Sequence, residues 1–250
     1  MRWLVFVSFV VVFALPFGWF LTASFAEQWR YPALVPVAWT LQHWEVLRQS
    51  DWMERAVRTF FLALPVAAGA TAAGFWSAHA LRRLPQGEKW LLWAYLPYSF
   101  SPVVYAHVLK FLFNSMELSG HLAGVMLAQF ILCYPFAVLF LFNWFDHQVS
   151  DMEALSRTLG ASPQVVWLRV LLPLARSALI TCFFQMFLIS WFDYGLCSVI
   201  GLGQVRTLTT AVYQYIAEAN AGLAAVSACL LCLPPWILLL FNQSVVTQKR

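Results

Sequence analysis

A polar stretch of this chain, residues 150–173, carries residue types whose spacing suits binding to another protein. Ser150 and Glu153 have the spacing of a capping box, in which each side chain satisfies the other residue's backbone amide at a helix start. Three apolar residues at helical spacing would line one face of this helix: Met152, Leu155 and Leu159. A short helix with such a stripe can insert into a groove on a partner, although the residues equally allow a helix lying on a membrane surface.

The second half of the stretch predicts a tight turn and another short helix. Gly160 suits the left-handed residue that ends a helix, and Ser162 followed by Pro163 is typical of the start of the next one. This second helix is predicted to end at Leu172, with Pro173 breaking it before the following element.

Enzymatic chemistry finds little support in the sequence, which has no H-E-x-x-H, no G-x-S-x-G and no phosphate-binding G-x-x-x-x-G-K-[ST] segment. The histidines are scattered, but His107 and His121 could lie at a similar depth in a membrane. A haem-binding membrane anchor and an intramembrane enzyme therefore stay open as alternative functions. The five cysteines are expected to be small packing residues rather than metal ligands.

Long apolar segments must position these residues, because the chain is 62% hydrophobic and only 10% charged. A water-soluble domain carries about 25% charged residues, so the shortfall indicates a surface that faces lipid. A membrane-spanning helix needs about 20 mainly apolar residues. The predicted spans are residues 3–26, 59–81, 90–109, 122–145, 174–198 and 219–248. A cleaved signal peptide is an alternative for the first, although its apolar run exceeds the about 7–15 residues typical of one.

Basic residues predict the orientation of these spans, because cytoplasmic loops carry an excess of Lys and Arg. With the N-terminus inside, the cytoplasmic segments would hold nine Lys and Arg residues and the outer segments six. Both termini are therefore predicted to be cytoplasmic, with loop 143–173 on the same side. We predict one membrane domain over residues 1–250, with an N-terminal helix at 3–26 and core helices over about 59–248.

Polar groups within the spans are candidates for lining a solute pathway, since an ionisable side chain in lipid is costly and is often functional. Asp193 is the strongest candidate. The alternative interpretation is that Asp193 lies at the outer membrane interface, where its carboxylate would be hydrated. Gln129 and Gln185 are further candidates, but uncharged groups of this kind often join helices by hydrogen bonds instead. Small residues between Gly69 and Gly74 predict a close approach of another helix.

Residues 150–173 also resemble the EAA loop of binding-protein-dependent ABC importer permeases, the type I or MetI-like family. The resemblance rests on RTLGASP at 157–163, on VLLPL at 170–174 and on the thirteen-residue spacing from Gly160 to Pro173. Weaker similarity lies at residues 39–44, Arg58, 191–195 and 207–213, and is nearest to the branch that imports inorganic anions, ferric iron, polyamines and thiamine.

One position departs from the family pattern. The family's glutamate lies six residues before the glycine, where this chain has Ala154, and the nearest glutamate is Glu153. The departure concerns the glutamate contact rather than the identity of the loop.

The resemblance implies an all-α integral membrane protein of about six helices, with the type I ABC importer permease fold, in a bacterial inner membrane. It implies a second permease subunit (a copy or a different chain), two cytoplasmic ATPase subunits, an extracytoplasmic solute-binding protein and membrane lipid as partners, and no nucleic acid. ATP and Mg²⁺ would bind to the partner ATPase, and this chain would bind no cofactor or metal and catalyse no reaction itself.

The resemblance also assigns roles to residues of the loop, which would dock as a coupling helix in a groove of the ATPase. The implied coupling residues are Glu153, Ala154, Leu155, Arg157, Leu159, Gly160 and Ala161. Glu153 and Arg157 would make polar contacts with the ATPase. Leu155 and Leu159 would fill its groove, and Gly160 would set the turn, so that ATP-driven motion of the ATPases opens the pathway outward.

Overall fold

The computed structural model describes the chain except for residues 1, 28, 30–32, 34, 146 and 248–250. Its described residues form helices and no β-strand beyond an isolated bridge between Ala26 and Trp39. The α-helices are α1 (Arg2–Ser24), α2 (Gln42–Gln49), α3 (Trp52–Arg82), α4 (Gly87–Tyr95), α5 (Pro102–Ser115), α6 (Leu122–Trp144), α7 (His147–Thr158), α8 (Pro163–Val165), α9 (Leu172–Trp191), α10 (Gly195–Gly201), α11 (Leu208–Ala217) and α12 (Ala221–Thr247).

The chain divides into two compact units. The first contains the residues up to Thr59 together with Arg206–Ile237, and the second contains Phe60–Val205 and the chain from Leu238 onward. The core of the second unit brings α5, α6 and α10 together around fully buried side chains such as Phe113 and Ile200. The single membrane domain over residues 1–250 stays a prediction.

Three helices among the described residues are long and apolar enough to cross a membrane: Trp52–Arg82, Leu122–Trp144 and Pro163–Trp191. The first two lie at the second and fourth predicted spans. The third overlaps the fifth predicted span, residues 174–198, but the helix ends at Trp191 and a separate helix, α10, begins at Gly195. A shorter apolar helix, Ala221–Ile237, lies at the sixth, and α1 lies at the first. The all-α membrane fold is thus confirmed, while the total of six spans stays a prediction.

The third predicted span, residues 90–109, is not one continuous helix. Helix α4 ends at Tyr95, a 3₁₀ turn follows at Leu96–Ser99, and α5 begins only at Pro102. Proline has no backbone N–H and forces the residue before it away from helical geometry, and Ser101 accordingly has ψ 140°. The apolar composition of the segment concealed this break.

The predicted helix break at Pro173 is wrong. Helix α8 continues through a π-helical turn at Val166–Leu171 into α9, so that Pro163–Trp191 forms one helix. The wider i→i+5 turn precedes the proline, which has no N–H to give to the helical ladder. The second half of loop 150–173 is therefore a direct extension of a candidate membrane span.

Helices α3 and α6 approach each other closely at Gly74. A Cβ atom added to Gly74 would lie 2.6 Å from the Cβ of Ala137 and 3.0 Å from its carbonyl carbon. At Gly69, on the same helix, the added atom would meet the Phe130 ring at 3.5 Å, an ordinary contact distance. The predicted close approach is confirmed, and Gly74 is the residue that permits it.

Replacing Gly74 by alanine is expected to destabilise the protein, because the new methyl group would press on the backbone of α6. Overpacking of this kind costs about 1–3 kcal/mol, and differential scanning fluorimetry in detergent should show a lower unfolding temperature. The matched control is Gly69→Ala, which adds the same group to the same helix without a clash and gains helix propensity. Equal unfolding temperatures for the two variants would contradict the close contact.

Candidate functional site

Helix α7 and the residue after its end present an apolar face to the surroundings. The side chains of Met152, Leu155 and Leu159 are 50%, 62% and 80% exposed. The predicted stripe is therefore confirmed as an exposed surface. Exposed apolar area costs free energy in water, at roughly 25 cal/mol per Å², and a contiguous exposed patch marks an interaction site.

The turn after α7 has the geometry that the sequence predicted. Gly160 has φ +82°, and its N–H donates to the carbonyl of Arg157 at 3.0 Å. The N–H of Ala161 donates to the carbonyl of Ser156 at 3.1 Å. These two bonds form a Schellman motif, which satisfies the last carbonyls of the helix and requires the left-handed conformation at the glycine.

The start of the next helix is also as predicted. The side-chain oxygen of Ser162 accepts a hydrogen bond from the N–H of Val165 at 3.4 Å, and Pro163 occupies the first helical position. The turn between α7 and α8 is thus fixed on both sides by hydrogen bonds that its own residues supply.

The predicted capping box at Ser150 and Glu153 is wrong. Helix α7 begins at His147, three residues earlier than predicted, so Ser150 lies within the helix and not at its start. The carboxylate of Glu153 instead accepts hydrogen bonds from the side chains of His79, Arg83 and Arg157.

Glu153 lies at the centre of a cluster of basic side chains, with only 8% of its surface exposed. Its Oε2 accepts a hydrogen bond from Nε2 of His79 at 3.0 Å. Its Oε1 accepts from the guanidinium of Arg157 at 3.0 Å and from that of Arg83. His79 belongs to the last turn of α3 and Arg83 directly follows that helix, whereas Arg157 lies one turn along α7 from Glu153, so the carboxylate joins the two helices.

The charges of this cluster keep Glu153 ionised. Burial alone would raise the pKa of Glu153, but the hydrogen bond from His79 and the positive charges of Arg83 and Arg157 outweigh it. The pKa of Glu153 therefore lies below its ordinary value. Hydrogen bonds to an ionised carboxylate are stronger than those between neutral groups, so the cluster holds α7 firmly against α3.

The sequence interpretation did not identify His79 and Arg83 as partners of Glu153. Their spacing of four residues puts both on one face of α3, and Glu153 and Arg157 have the same spacing on α7. A cavity of about 380 Å³ opens beside the four side chains, and Ala154 is among the residues that line it. The spacing was visible in the sequence, but the pairing of the two helices was not.

The remaining coupling residues of the prediction occupy the exposed side of the loop. Ala154, Leu155, Arg157, Leu159 and Gly160 are exposed, and Ala161 is half-buried. Glu153 alone in this set is buried. The structure thus separates one inward-facing residue from an outward-facing surface.

Two of the three predicted pathway residues meet in one network. Gln129, on α6, is 1% exposed and donates from Nε2 to Oδ2 of Asp193 at 3.0 Å. Its Oε1 accepts a hydrogen bond from the hydroxyl of Ser190 at 2.5 Å. Asp193 also accepts the backbone N–H groups of Leu196 and Cys197, at 3.3 and 3.0 Å, at the start of α10.

These contacts place Asp193 in the turn between α9 and α10, where the carboxylate acts as a helix-capping acceptor. Its place on a solute pathway stays a prediction. Gln185 does not join the network, and its Oε1 is buried without a hydrogen-bond partner among the described residues. The three residues therefore do not converge on one site. Nor do the described residues hold a cluster of three or more His, Cys, Asp or Glu side chains suited to a metal ion.

Sequence relatives decide between the functions that the residues left open. The chain is 26% identical over 219 residues to the putative 2-aminoethylphosphonate transport system permease protein PhnV of Salmonella paratyphi A, covering 86% of this chain and 82% of that one. It is 24% identical over 200 residues to the inner membrane ABC transporter permease protein YcjP of Escherichia coli, covering 76% and 71%. These relatives are ABC transporter permeases, and the function that they support for this chain is that of a transport permease.

A further relative of this permease covers a shorter stretch. The molybdenum transport system permease protein ModB of Mycobacterium bovis is 29% identical over 145 residues, which is 52% of this chain and 55% of that one. No protein-family profile matches the chain. The apolar helices and the relatives together show that the permease is a membrane protein, and the relatives show that it is a transport subunit. These relatives favour neither a haem anchor nor an intramembrane enzyme.

Proposed function

We propose that this permease forms half of a solute pathway and couples to a cytoplasmic ATPase through α7 and the turn at Gly160. The observation that carries the proposal is the exposed apolar face of α7. Helix α7 is already held to α3 on its opposite side by Glu153, so the apolar face is left free for a partner. A short helix of this kind suits a groove on another protein.

The partners of this proposal are a second permease subunit, two cytoplasmic ATPase subunits and an extracytoplasmic solute-binding protein. ATP and Mg²⁺ bind to the ATPases, and this chain contributes no nucleotide site. The ATPases would supply motion to α7, and the permease pair would convert it into outward opening of the pathway.

The proposed orientation places both termini and α7 in the cytoplasm of a bacterial inner membrane. The excess of Lys and Arg in the corresponding loops supports it. The structure adds a local reason, because the end of α3 that carries Arg82 and Arg83 lies beside α7 and Arg157. These three arginines therefore lie on one side of the membrane, and α7 lies on that basic side.

Replacing both Leu155 and Leu159 by aspartate is expected to remove the ATPase from the purified permease. Two charges would have to enter an apolar groove unpaired, which costs several kcal/mol, so the amount of co-purifying ATPase should fall by more than tenfold. The measurement is affinity purification of the tagged permease from its native membrane, with the ATPase quantified by mass spectrometry.

The matched control for this experiment is Met116→Asp. Met116 is also apolar and 56% exposed, but it follows α5 on the side of the membrane proposed to be external, and this variant should retain the ATPase. Retention of the ATPase by the Leu155 and Leu159 variant would contradict the proposed coupling surface.

A further inference from the structure

The position of Glu153 differs by one residue from the position that the importer family uses. Ala154 occupies the family position, six residues before Gly160, and it is exposed on α7. Each residue of an α-helix is rotated by about 100° from the one before it. The shift therefore moves the carboxylate from an exposed position at the edge of the basic cavity to a buried one, where Glu153 is 8% exposed.

The inward side of α7 offers a set of partners that is already complete within this chain. Both carboxylate oxygens of Glu153 accept hydrogen bonds, Oε2 from His79 and Oε1 from Arg83 and Arg157. His79 lies on α3, a helix of 31 residues that is long enough to cross a membrane, and Arg83 directly follows it. The carboxylate therefore has three donors within its own chain, and its burial limits the access of a second protein.

His79 is itself held by the elements around it. Its ring lies edge-on to Trp167 with the ring centroids 4.7 Å apart, and it packs against Phe145 at 5.2 Å. Trp167 belongs to the π turn that leads into α9, and Phe145 follows α6. The contact between Glu153 and His79 therefore ties α7 to a packed junction of three other helices.

We propose that Glu153 is a positioning residue that fixes α7 to the cytoplasmic end of α3, so that a displacement of α7 is passed directly into the membrane-spanning part of the permease. The inference rests on the proposed coupling function of α7. It gives Glu153 a task inside this chain, in place of the contact with the ATPase that the family pattern implied.

The test compares Glu153→Gln with a double variant, Glu153→Ala with Ala154→Glu, which moves the carboxylate to the family position. Asp151→Asn is the matched control, because it removes an exposed carboxylate from the same helix. Each tagged permease is purified with its ATPase, and hydrogen exchange of α7 and of the end of α3 is followed by mass spectrometry with and without ATP, Mg²⁺ and vanadate.

In the wild type and in Asp151→Asn, the nucleotide should change hydrogen exchange at both α7 and the end of α3. In Glu153→Gln the amount of co-purifying ATPase should stay within about twofold of the wild-type amount. The nucleotide-dependent change in hydrogen exchange should persist at α7 and be lost at the end of α3. The double variant should behave in the same way, since position 154 lies at the exposed edge of the cavity and not at the buried position that meets both His79 and Arg83. A purely local structural role for Glu153 would not separate the two responses.

Two results would overturn the inference. One is a double variant that behaves as the wild type, which would show that the buried position of the carboxylate is not needed. The other is loss of the ATPase from Glu153→Gln, which would make the carboxylate a contact for the ATPase. Arg83→Gln breaks the same link from the α3 side and should reproduce the effect if Glu153→Gln does not fold. Absence of an ATPase from the wild-type purification would instead contradict the proposed function itself.

Discussion

Valine in place of Gly160 is expected to reduce co-purification of the ATPase by more than tenfold. The backbone at this position has φ +82°, and nothing lies within 4 Å of an added Cβ atom. The effect would therefore come from backbone strain and not from a clash. A β-branched residue in the left-handed region costs of the order of 1–3 kcal/mol. If the backbone relaxes, the hydrogen bonds that end α7 are lost and the following helix is redirected.

The structure supplies two controls for this prediction. Gly203 has φ +74° and also has nothing within 4 Å of its added Cβ, so Gly203→Val imposes similar strain outside the loop and should leave the ATPase bound. Gly160→Asn should retain most of the association, because asparagine tolerates the left-handed conformation. The measurement is the same affinity purification, and full retention of the ATPase by Gly160→Val would show that the turn is not needed for coupling.

The turn at Gly160 could be predicted from sequence because its geometry is determined locally. The two hydrogen bonds of the Schellman motif and the cap at Ser162 join residues no more than five positions apart. The same holds for the apolar stripe, since helical spacing alone puts Leu155 and Leu159 on one face. Local chemistry therefore described the outward surface of the candidate site correctly.

The inward side of the site could not be predicted in this way. Ser150 and Glu153 satisfy the local pattern of a capping box, but α7 starts earlier. Glu153 binds His79 and Arg83, which lie 74 and 70 positions away along the chain. Two arginines and a histidine donor stabilise the carboxylate more than one backbone amide would. A local rule fails where a distant group offers a stronger interaction.

The membrane-spanning helices could likewise be predicted only in part. Apolar composition located the helices that became α3, α6 and α9, because length and hydropathy alone identify a segment that can cross a membrane. Composition concealed the interruption between α4 and α5, where Pro97 lies within a 3₁₀ turn and Pro102 starts a new helix. Prolines were visible in the sequence, and weighing them against hydropathy would have indicated the break.

Asp193 shows how one ionisable residue in an apolar segment can have a structural use. From sequence its cost in lipid suggested a solute pathway. The structure offers another way to offset that cost, because the first amides of α10 and the side chain of Gln129 donate to its carboxylate. The start of α10 at Gly195 was not recognised in the sequence, so these donors could not be anticipated.

Alanine in place of Asp193 is therefore expected to destabilise the fold strongly. It would leave the N–H groups of Leu196 and Cys197 without their acceptor. The amide of Gln129 would lose its bond to the carboxylate and keep only longer contacts with Ser190 and Cys197. These residues are at most 1% exposed. Each unsatisfied buried group costs about 1–3 kcal/mol. The unfolding temperature in detergent should fall by on the order of 10 °C, since about 2–4 °C is lost per kcal/mol in a chain of this length.

Two variants make this result specific to the capping role. Asp193→Asn keeps one carbonyl oxygen as an acceptor and should have an intermediate unfolding temperature. Glu54→Ala removes a carboxylate from an exposed pair with Arg58, which is worth about 0–1 kcal/mol, and should change the unfolding temperature little. An unchanged unfolding temperature for Asp193→Ala would contradict the structural role. It would favour the role on a solute pathway, because the buried carboxylate would then contribute nothing to stability.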